Sequence, residues 1–263
     1  MNKHIIYQLR NQHPIVFTIA NTVTSGKVAD GLSALGISPI MSFQPTEALE
    51  LAKLVQAVVI NLGTPCQPLE TEFDSGAAAA NQLCTPLVLD PVACGSSAYR
   101  AHLARQLLSQ YDFTIIRGNA GEIAALAGEQ WESHGIDAGS GKKNQVDIAR
   151  RCAHLYHCVV VLSGKEDIIT DGTVAYQNQC STPWLATNVG SGDLLSSTIG
   201  ALLGIGITPL IAGLVGCRII TTAGTKAAQG ANGLGSWQVR FLDALSKLND
   251  QDLMIERILT NDE

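Results

Sequence analysis

Charged and aromatic residues are both scarce in this chain of 263 residues. Asp, Glu, Lys and Arg make up 15% of it, whereas about a quarter is usual for globular proteins. The net charge is −6 and there is no run of Lys or Arg, which argues against nucleic acid or an anionic membrane as the main partner. A hydrophobic content of 46% excludes a disordered chain. We therefore expect one compact domain, 1–263, that acts on small molecules.

Signals for export, disulfides and zinc are also missing. The seven cysteines include no C-x-x-C pair, and the first residues lack the apolar segment of a secretory signal, so a cytoplasmic protein with reduced thiols is expected. Residues 194–217 carry no charge and are long enough to cross a bilayer. However, the segment 204–209, GIGITP, is typical of a turn and predicts two buried helices instead of a membrane span.

Short apolar runs alternate with helical segments along most of the sequence. This alternation predicts an α/β fold with a mostly parallel central sheet and helices on both faces. Asp171-Gly172 lies between two β-rich runs and predicts a hairpin, hence an antiparallel edge. Thr46 is predicted to cap a helix, and the polar stretch 128–144 to be a surface loop within the single domain. The predicted strands of the parallel part are 15–20, 37–41, 57–61, 87–90, 113–116 and 159–162.

Neither common nucleotide-binding motif is present, since the chain has no G-x-x-x-x-G-K-[ST] and no G-x-G-x-x-G after a strand. Ligands of such sheets bind where the strands end, so polar residues that follow strands are the candidates. Four stretches meet this criterion: Asn21-Thr22-Val23, Asn61-Leu62-Gly63-Thr64, 90–95 and 117–122.

The segment Gly190-Ser191-Gly192-Asp193 leads directly into an apolar helix. Glycines allow backbone N–H groups to face a ligand, and a helix N-terminus attracts anions such as phosphate. Asp193 could then serve as the base that takes a proton from an alcohol attacking that phosphate. From the residues alone an alternative stays open, in which Asp193 caps the helix and the glycines form a tight turn.

A divalent metal could replace the missing P-loop lysine. Asn119 and Glu122 lie one turn apart at a predicted helix start, and Mg²⁺ needs few protein ligands, so Glu122 with Asp90 acting through water would suffice. Arg117 beside them could contact phosphate oxygens in a fork. The alternative for Glu122 is a first-turn acid that only balances the helix dipole.

Taken together, these stretches resemble the hydroxyethylthiazole kinases of the ribokinase-like superfamily, from about residue 15 to 248. The resemblance implies a three-layer ribokinase-like fold. It also implies ATP-dependent phosphorylation, with Mg²⁺, of the primary alcohol of 4-methyl-5-(2-hydroxyethyl)thiazole, a step of thiamine salvage. The matching motifs are SPIM at 38–41, NLGT at 61–64, LDPV at 89–92, RGNAGEI at 117–123, GSGD at 190–193 and GSWQVRFLDAL at 235–245.

The same resemblance implies roles for single residues. Asp193 would be the catalytic base, and Met41 and Gly190 would contact the thiazole. Family members are homotrimers with active sites between subunits, so Gly63 and Thr64 would serve a neighbour's pocket. The alcohol pocket would be lined by Asn21, Val23, Gly63 and Thr64, and the ATP site by Arg117, Ser163, Gly192 and Asn119.

Three other functions remain compatible with these motifs. A related kinase could act on a hydroxymethylpyrimidine or pyridoxal-type alcohol, and an ATP-dependent NAD(P)H-hydrate dehydratase also carries G-x-G-D, although both usually lack the SPIM start. A catalytically silent nucleotide-binding protein is the third. The joint presence of Asp90, Arg117, Glu122 and Asp193 favours an enzyme, because a binding protein needs no base.

Overall fold

A single mixed sheet of eight strands forms the centre of the fold. In the computed structural model, which describes residues 4–131 and 144–253, the strand order is β2-β1-β3-β4-β5-β6-β7-β8. Strands β1 to β6 pair in parallel, whereas β7 and β8 are antiparallel. This confirms the predicted parallel sheet with an antiparallel edge. The strands are β1 Ile15–Ile19, β2 Ser38–Ile40, β3 Ala57–Asn61, β4 Leu87–Asp90, β5 Ile115–Gly118, β6 Val159–Leu162, β7 Asp167–Thr170 and β8 Ala175–Asn178.

Helices cover both faces of this sheet. Their apolar sides form two separate cores: α4 to α7 pack on one face, and α1, α2 and α9 to α11 on the other. The described helices are α1 Ile5–Gln12, α2 Ser25–Leu35, α3 Ala48–Ala52, α4 Gln67–Gln82, α5 Ala98–Gln110, α6 Ala120–Leu126, α7 Gln145–Tyr156, α8 Pro183–Thr187, α9 Ser191–Gly204, α10 Pro209–Ala228 and α11 Leu234–Lys247.

Burial on both faces explains why the central strands are continuous apolar runs. In β3, Val58 and Ile60 belong to one core and Val59 to the other, and all three are fully buried. A parallel strand between two helical layers has no solvent-facing side, so it lacks the polar alternation of a half-exposed strand. The helices on either side therefore hold the strand ends in fixed positions.

The predicted hairpin and the predicted helix pair are both confirmed. Asp171 accepts backbone hydrogen bonds from Thr173 and Val174 at 2.9 and 2.8 Å, and Gly172 has φ +97°. The uncharged stretch divides at Gly206, with φ +83°, into α9 and α10. Among the described residues, no helix is long and apolar enough to span a membrane.

Two local predictions were wrong. Thr46 does not cap a helix, because Pro45–Glu47 forms a 3₁₀ turn and the short α3 begins only at Ala48. The fifth strand runs over Ile115–Gly118 instead of 113–116, and its later end places Arg117 within the strand itself. Most of the predicted loop 128–144 lies outside the described residues, which stop at Trp131 and resume at Asn144.

Candidate active site

Five parallel strands bring a polar side chain to the same edge of the sheet. Their carboxyl ends meet there, and Asn61 of β3 and Asp90 of β4 are direct partners in the strand register. In open α/β sheets this edge is where ligands bind. The residues are Asn21 after β1, Asn61 at the end of β3, Asp90 at the end of β4, Arg117 in β5 and Ser163 after β6.

Helix α9 begins over this edge. Gly190 immediately precedes it with φ +98°, a left-handed backbone that favours glycine. A Cβ atom on Gly192 would overlap the Arg117 guanidinium, so the absence of a side chain lets the helix start approach the arginine. The first N–H groups of a helix have no acceptor within it and attract anions. The start of α9 and Arg117 thus form a site suited to phosphate.

Asp193 lies in the first turn of α9 but does not cap it. Its carboxylate instead accepts hydrogen bonds from three side chains of other segments. Asn21 Nδ2 donates to Oδ2 at 2.8 Å, the Thr24 hydroxyl donates to the same oxygen, and Asn61 Nδ2 donates to Oδ1 at 3.1 Å. An ionised carboxylate is purely an acceptor, which matches this set of donors. The capping alternative raised by the sequence is therefore excluded.

Asp90 and Arg117 form a buried pair beside Asp193. Arg117 Nη1 lies 3.4 Å from Asp90 Oδ2, which also accepts from Ser196 of α9 at 2.8 Å, and Arg117 Nη2 donates to Ser163 Oγ at 2.5 Å. Burial raises the pKa of Asp90 to about 7, against the opposing effect of Arg117; Asp193 and Glu122 raise it further. Asp90 Oδ1 and Arg117 Nε are buried and have no hydrogen-bond partner among the described residues. The unpartnered Asp90 oxygen is therefore free to bind a cation, and the unpartnered Arg117 N–H is free to bind an anion.

Glu122 joins α6 to the loop after β4. Its Oε2 accepts from the Asn119 N–H at 2.8 Å while Asn119 accepts from the Glu122 N–H at 2.9 Å, a reciprocal capping box at the start of α6. Its Oε1 accepts from the Ala93 N–H at 2.7 Å. Burial raises the pKa of Glu122, and the bonds from Ala93 and Asn119 oppose that rise. Glu122 therefore has a structural role, and each oxygen retains a further lone pair.

Comparison with known proteins decides the family. A model described as the hydroxyethylthiazole kinase family matches residues 6–251. The chain belongs to this family. A hydroxyethylthiazole kinase of Limosilactobacillus reuteri is 48% identical over 254 residues, with 97% of this chain and 94% of that protein covered. One from Haemophilus influenzae is 38% identical over 255 residues, covering 96% of this chain and 97% of the relative.

Solved structures agree with this assignment. The hydroxyethylthiazole kinase protein of Pyrococcus horikoshii OT3 superposes with a TM-score of 0.88 at 28% identity and 97% coverage of both chains. The pyridoxal kinase of Bacillus subtilis, solved as an ADP complex, has a TM-score of 0.63 at 16% identity, with 81% of this chain and 92% of that one covered, and shows the shared fold alone. The chain is thus an enzyme, a thiazole kinase-family phosphotransferase with the predicted ribokinase-like fold.

Three of the residues that family resemblance assigned to the alcohol pocket, Asn21, Gly63 and Thr64, lie together in the loops after β1 and β3. A Cβ on Gly63 would lie 2.6 Å from Asn21 Cβ, and Thr64 Oγ1 accepts from the Thr22 N–H at 3.0 Å, so the two strand-end loops touch within one chain. Val23, two residues after Asn21, has 68% of its surface exposed. Met41 follows the edge strand β2 and packs against the core on the α2 side.

The family's divalent metal fits this edge only in part. Among residues 4–131 and 144–253, no group of three or more His, Cys, Asp or Glu side chains could hold a metal ion. Mg²⁺ usually keeps several waters and binds one or two carboxylates together with substrate phosphates. The orphaned Oδ1 of Asp90 matches that pattern, whereas both Glu122 oxygens already accept backbone hydrogen bonds.

A groove of about 230 Å³ lies beside this candidate site, between α2, α11 and the start of α9. Gly190 is part of its wall, but Asp90, Arg117 and Asp193 are not. A Cβ atom on Gly190 would lie 3.1 Å from Thr24 Cβ, so Gly190 borders both the groove and a residue that bonds Asp193. The groove was not expected from the sequence.

The sequence did not indicate Thr24 or Ser196, and it gave Asn61 only as a member of a candidate stretch, without a role. Asn61 stands in a stretch that the strand-end criterion selected, so its position gave a signal. Thr24 and Ser196 gave none, because their roles depend on contacts with Asp193 and Asp90, which lie 169 and 106 residues away along the chain.

Proposed function

We propose that this enzyme transfers the γ-phosphoryl group of ATP to the primary alcohol of 4-methyl-5-(2-hydroxyethyl)thiazole, a step of thiamine biosynthesis. The observation that carries the proposal is Asp193, a carboxylate held by three donors at a helix start next to a buried arginine. The names of the relatives, at 38–48% identity over nearly the whole chain, support the thiazole alcohol as acceptor.

In this proposal Asp193 is the general base. It accepts the alcohol proton as the alcohol oxygen attacks the γ-phosphorus, and the bond from that phosphorus to the ADP oxygen breaks. The N–H groups between Gly190 and Gly192, together with Arg117, stabilise the charge that develops on the phosphoryl oxygens. The chain's task is thereby positioning and electrostatics, as in other phosphoryl transfers.

ATP would lie along the strand ends from β4 to β6. Arg117 and Ser163, which are already hydrogen-bonded to each other, would contact its phosphates, with Gly192 and Asn119 at the adjoining helix starts. Asp90 would hold Mg²⁺ through Oδ1, with Glu122 acting through water. When bound, the ion neutralises phosphate charge and favours departure of ADP.

The acceptor would lie on the β1–β2 side of Asp193, among Met41, Asn21 and Gly190 with the loop of Gly63 and Thr64. We propose a homotrimer in which this pocket is completed by a neighbouring subunit. Apolar side chains that are exposed near it support this arrangement, with Val23 at 68% and Phe43 at 49%. We also propose a cytoplasmic location, since all seven cysteines are free.

A substrate screen tests the proposal. Purified enzyme is given the thiazole alcohol, a hydroxymethylpyrimidine, pyridoxal or buffer alone, and ADP release is measured with Mg²⁺ and with EDTA. We expect release above buffer with the thiazole alcohol, and its loss in EDTA. Faster release with the pyrimidine or pyridoxal would reassign the acceptor, and release no faster than buffer in every arm would contradict a kinase acting on these alcohols.

A further inference from the structure

Three side-chain pairs join α9 to the strand ends beneath it. Ser197 and Thr18 of β1 are 3.1 Å apart, Ser196 donates to Asp90 of β4 at 2.8 Å, and Asp193 accepts from Asn61 of β3 at 3.1 Å. Because Asn61 and Asp90 are register partners on neighbouring strands, the helix is held at both of them at once.

The orientation of the Asn61 amide is fixed by groups other than Asp193. Its Oδ1 accepts from the Gly63 N–H at 2.9 Å and from Asn21 Nδ2 at 3.0 Å. Since a backbone N–H can only donate, the oxygen must face Gly63 and the NH₂ group must face Asp193. The Asn21 amide is fixed in the same way, because its oxygen accepts from the N–H groups of Val23 and Thr24 at 2.9 and 3.0 Å.

The two oxygens of Asp193 are therefore held from different directions. Asn21 and Thr24 bind Oδ2, and Asn61, which is 2% exposed, binds Oδ1. Loss of the Asn61 contact would free the carboxylate to turn about its Cβ–Cγ bond while leaving the Arg117 and Asp90 side of the site in place.

We propose that Asn61 is a positioning residue for phosphoryl transfer, which orients the Asp193 carboxylate toward the acceptor alcohol. This inference rests on the proposed role of Asp193 as the base. A small misplacement of a catalytic group lowers the rate strongly, and about 1 Å can cost about 100-fold. Asn61 should thus influence turnover and leave ATP binding nearly unchanged.

The test compares Asn61→Ala with wild type and with Asn81→Ala. Asn81 is the control, since its amide, like that of Asn61, both donates and accepts, with two hydrogen bonds to the backbone of Asp112 at 2.9 and 2.8 Å, but lies at the end of α4 away from the site. We expect kcat to fall about 10- to 100-fold in Asn61→Ala, with the Kd for ATP changing less than about twofold and with unchanged circular dichroism. Asn81→Ala should keep the wild-type kcat.

A double-mutant cycle separates positioning from general damage. If Asn61 acts through Asp193, adding Asn61→Ala to Asp193→Asn should lower kcat by less than about threefold further, because residues that act as a unit are not additive. Additive losses, or a wild-type kcat in Asn61→Ala, would overturn the proposal.

A near-isosteric variant covers the case in which Asn61→Ala does not fold. Asn61→Asp keeps the acceptor for Gly63 but turns a carboxylate toward Asp193, and we expect at least the same loss of kcat; wild-type turnover would again overturn the proposal. If instead wild-type enzyme does not phosphorylate the thiazole alcohol, the proposed function fails and not the positioning role alone.

Discussion

The two halves of the site differ in how completely the chain satisfies its own polar groups. Around Asp193, both carboxylate oxygens have donors from Asn21, Thr24 and Asn61. Around Arg117, the described chain leaves Asp90 Oδ1 and Arg117 Nε buried without partners. Buried polar atoms are normally hydrogen-bonded, and exceptions often mark sites that a ligand completes. The half around Asp193 is thus preorganised by the protein alone, whereas the half around Arg117 has polar atoms that a bound ligand would complete.

Removal of the Asp193 carboxylate, the proposed base, should produce the largest effect. We expect Asp193→Asn to lower turnover about 10²- to 10⁴-fold, the usual contribution of a general base, and to leave ATP binding largely intact because Arg117 and Asp90 are untouched. Steady-state kinetics and an ATP titration measure the two quantities. Asp147→Asn is the control, since Asp147 is likewise a first-turn acid, in α7, but exposed. Equal turnover in wild type and Asp193→Asn would remove the functional distinction between the halves.

A substitution in the half around Arg117 should weaken ATP binding more than it lowers turnover. Arg117→Lys keeps the charge but loses the planar fork that contacts Asp90 and Ser163. We expect the KM for ATP to rise about 10- to 100-fold, as hydrogen bonds to charged groups are worth about 1.5–3 kcal/mol, with a smaller fall in kcat. The control is Arg105→Lys, an exposed arginine that bonds the Ala125 carbonyl at 2.8 Å. A fall confined to kcat would mean that Arg117 serves the chemistry only.

Glu72 of α4 is a buried carboxyl group with no hydrogen bond to either half among the described residues, and it sharpens the comparison. Both its oxygens lack hydrogen-bond partners among the described residues, and burial, then the neighbouring Glu47, raise its pKa to about 7. A folded-state pKa above the ordinary 4.5 means that folding favours the protonated form, so stability is lost as the pH rises from about 4.5 through about 7.

Glu72→Gln should therefore remove a pH-dependent penalty. We expect the variant to gain stability relative to wild type as the pH rises. The difference in the free energy of unfolding, variant minus wild type, should be about 1–3 kcal/mol more positive at pH 8 than at pH 4. Denaturant unfolding at the two pH values measures it, with the exposed Glu50→Gln as control. An equal difference at both pH values would show that Glu72 ionises in the folded state without cost.

The smallest effect concerns the loop that supports Glu122. Ala93 has φ +60°, a left-handed conformation unfavourable for residues with a Cβ, and its N–H bonds Glu122. Ala93→Gly should raise the free energy of unfolding by up to about 1 kcal/mol, since relief of strain exceeds the entropy cost. Ala78→Gly, at an exposed position inside α4, should lower it by about 1 kcal/mol. Thermal unfolding distinguishes the two, and destabilisation by Ala93→Gly would show that no strain is stored there.

The sequence predicted features that depend on local chemistry. The hairpin at Asp171-Gly172, the turn at Gly206 and the apolar central strands each have a local cause, and all three are confirmed. The predicted start of the helix after β2 was wrong. Pro45 favours a 3₁₀ turn over Pro45–Glu47, so Thr46 lies within that turn and does not cap the helix.

The partners of the site were harder to predict than its members. Asp193, Asp90 and Arg117 belong to recognisable motifs, whereas Thr24 and Ser196 are ordinary small residues, one just before α2 and one within α9. Their significance arises from packing between distant segments, which periodicity and spacing do not encode. The capping box of Asn119 and Glu122 is likewise local, whereas the proposed role of Glu122 toward a metal ion would depend on bound phosphate.

The sheet register has a consequence for how such an enzyme could change its acceptor. Asn61 and Asp90 stand on adjacent central strands, whose separation of about 4.8 Å is set by backbone hydrogen bonds and cannot be adjusted. Strand β2, in contrast, is an edge strand of three residues followed directly by Met41. A larger or smaller alcohol would be accommodated by replacing residues at that edge, while the spacing between Asn61, which bonds Asp193, and Asp90 is inherited unchanged.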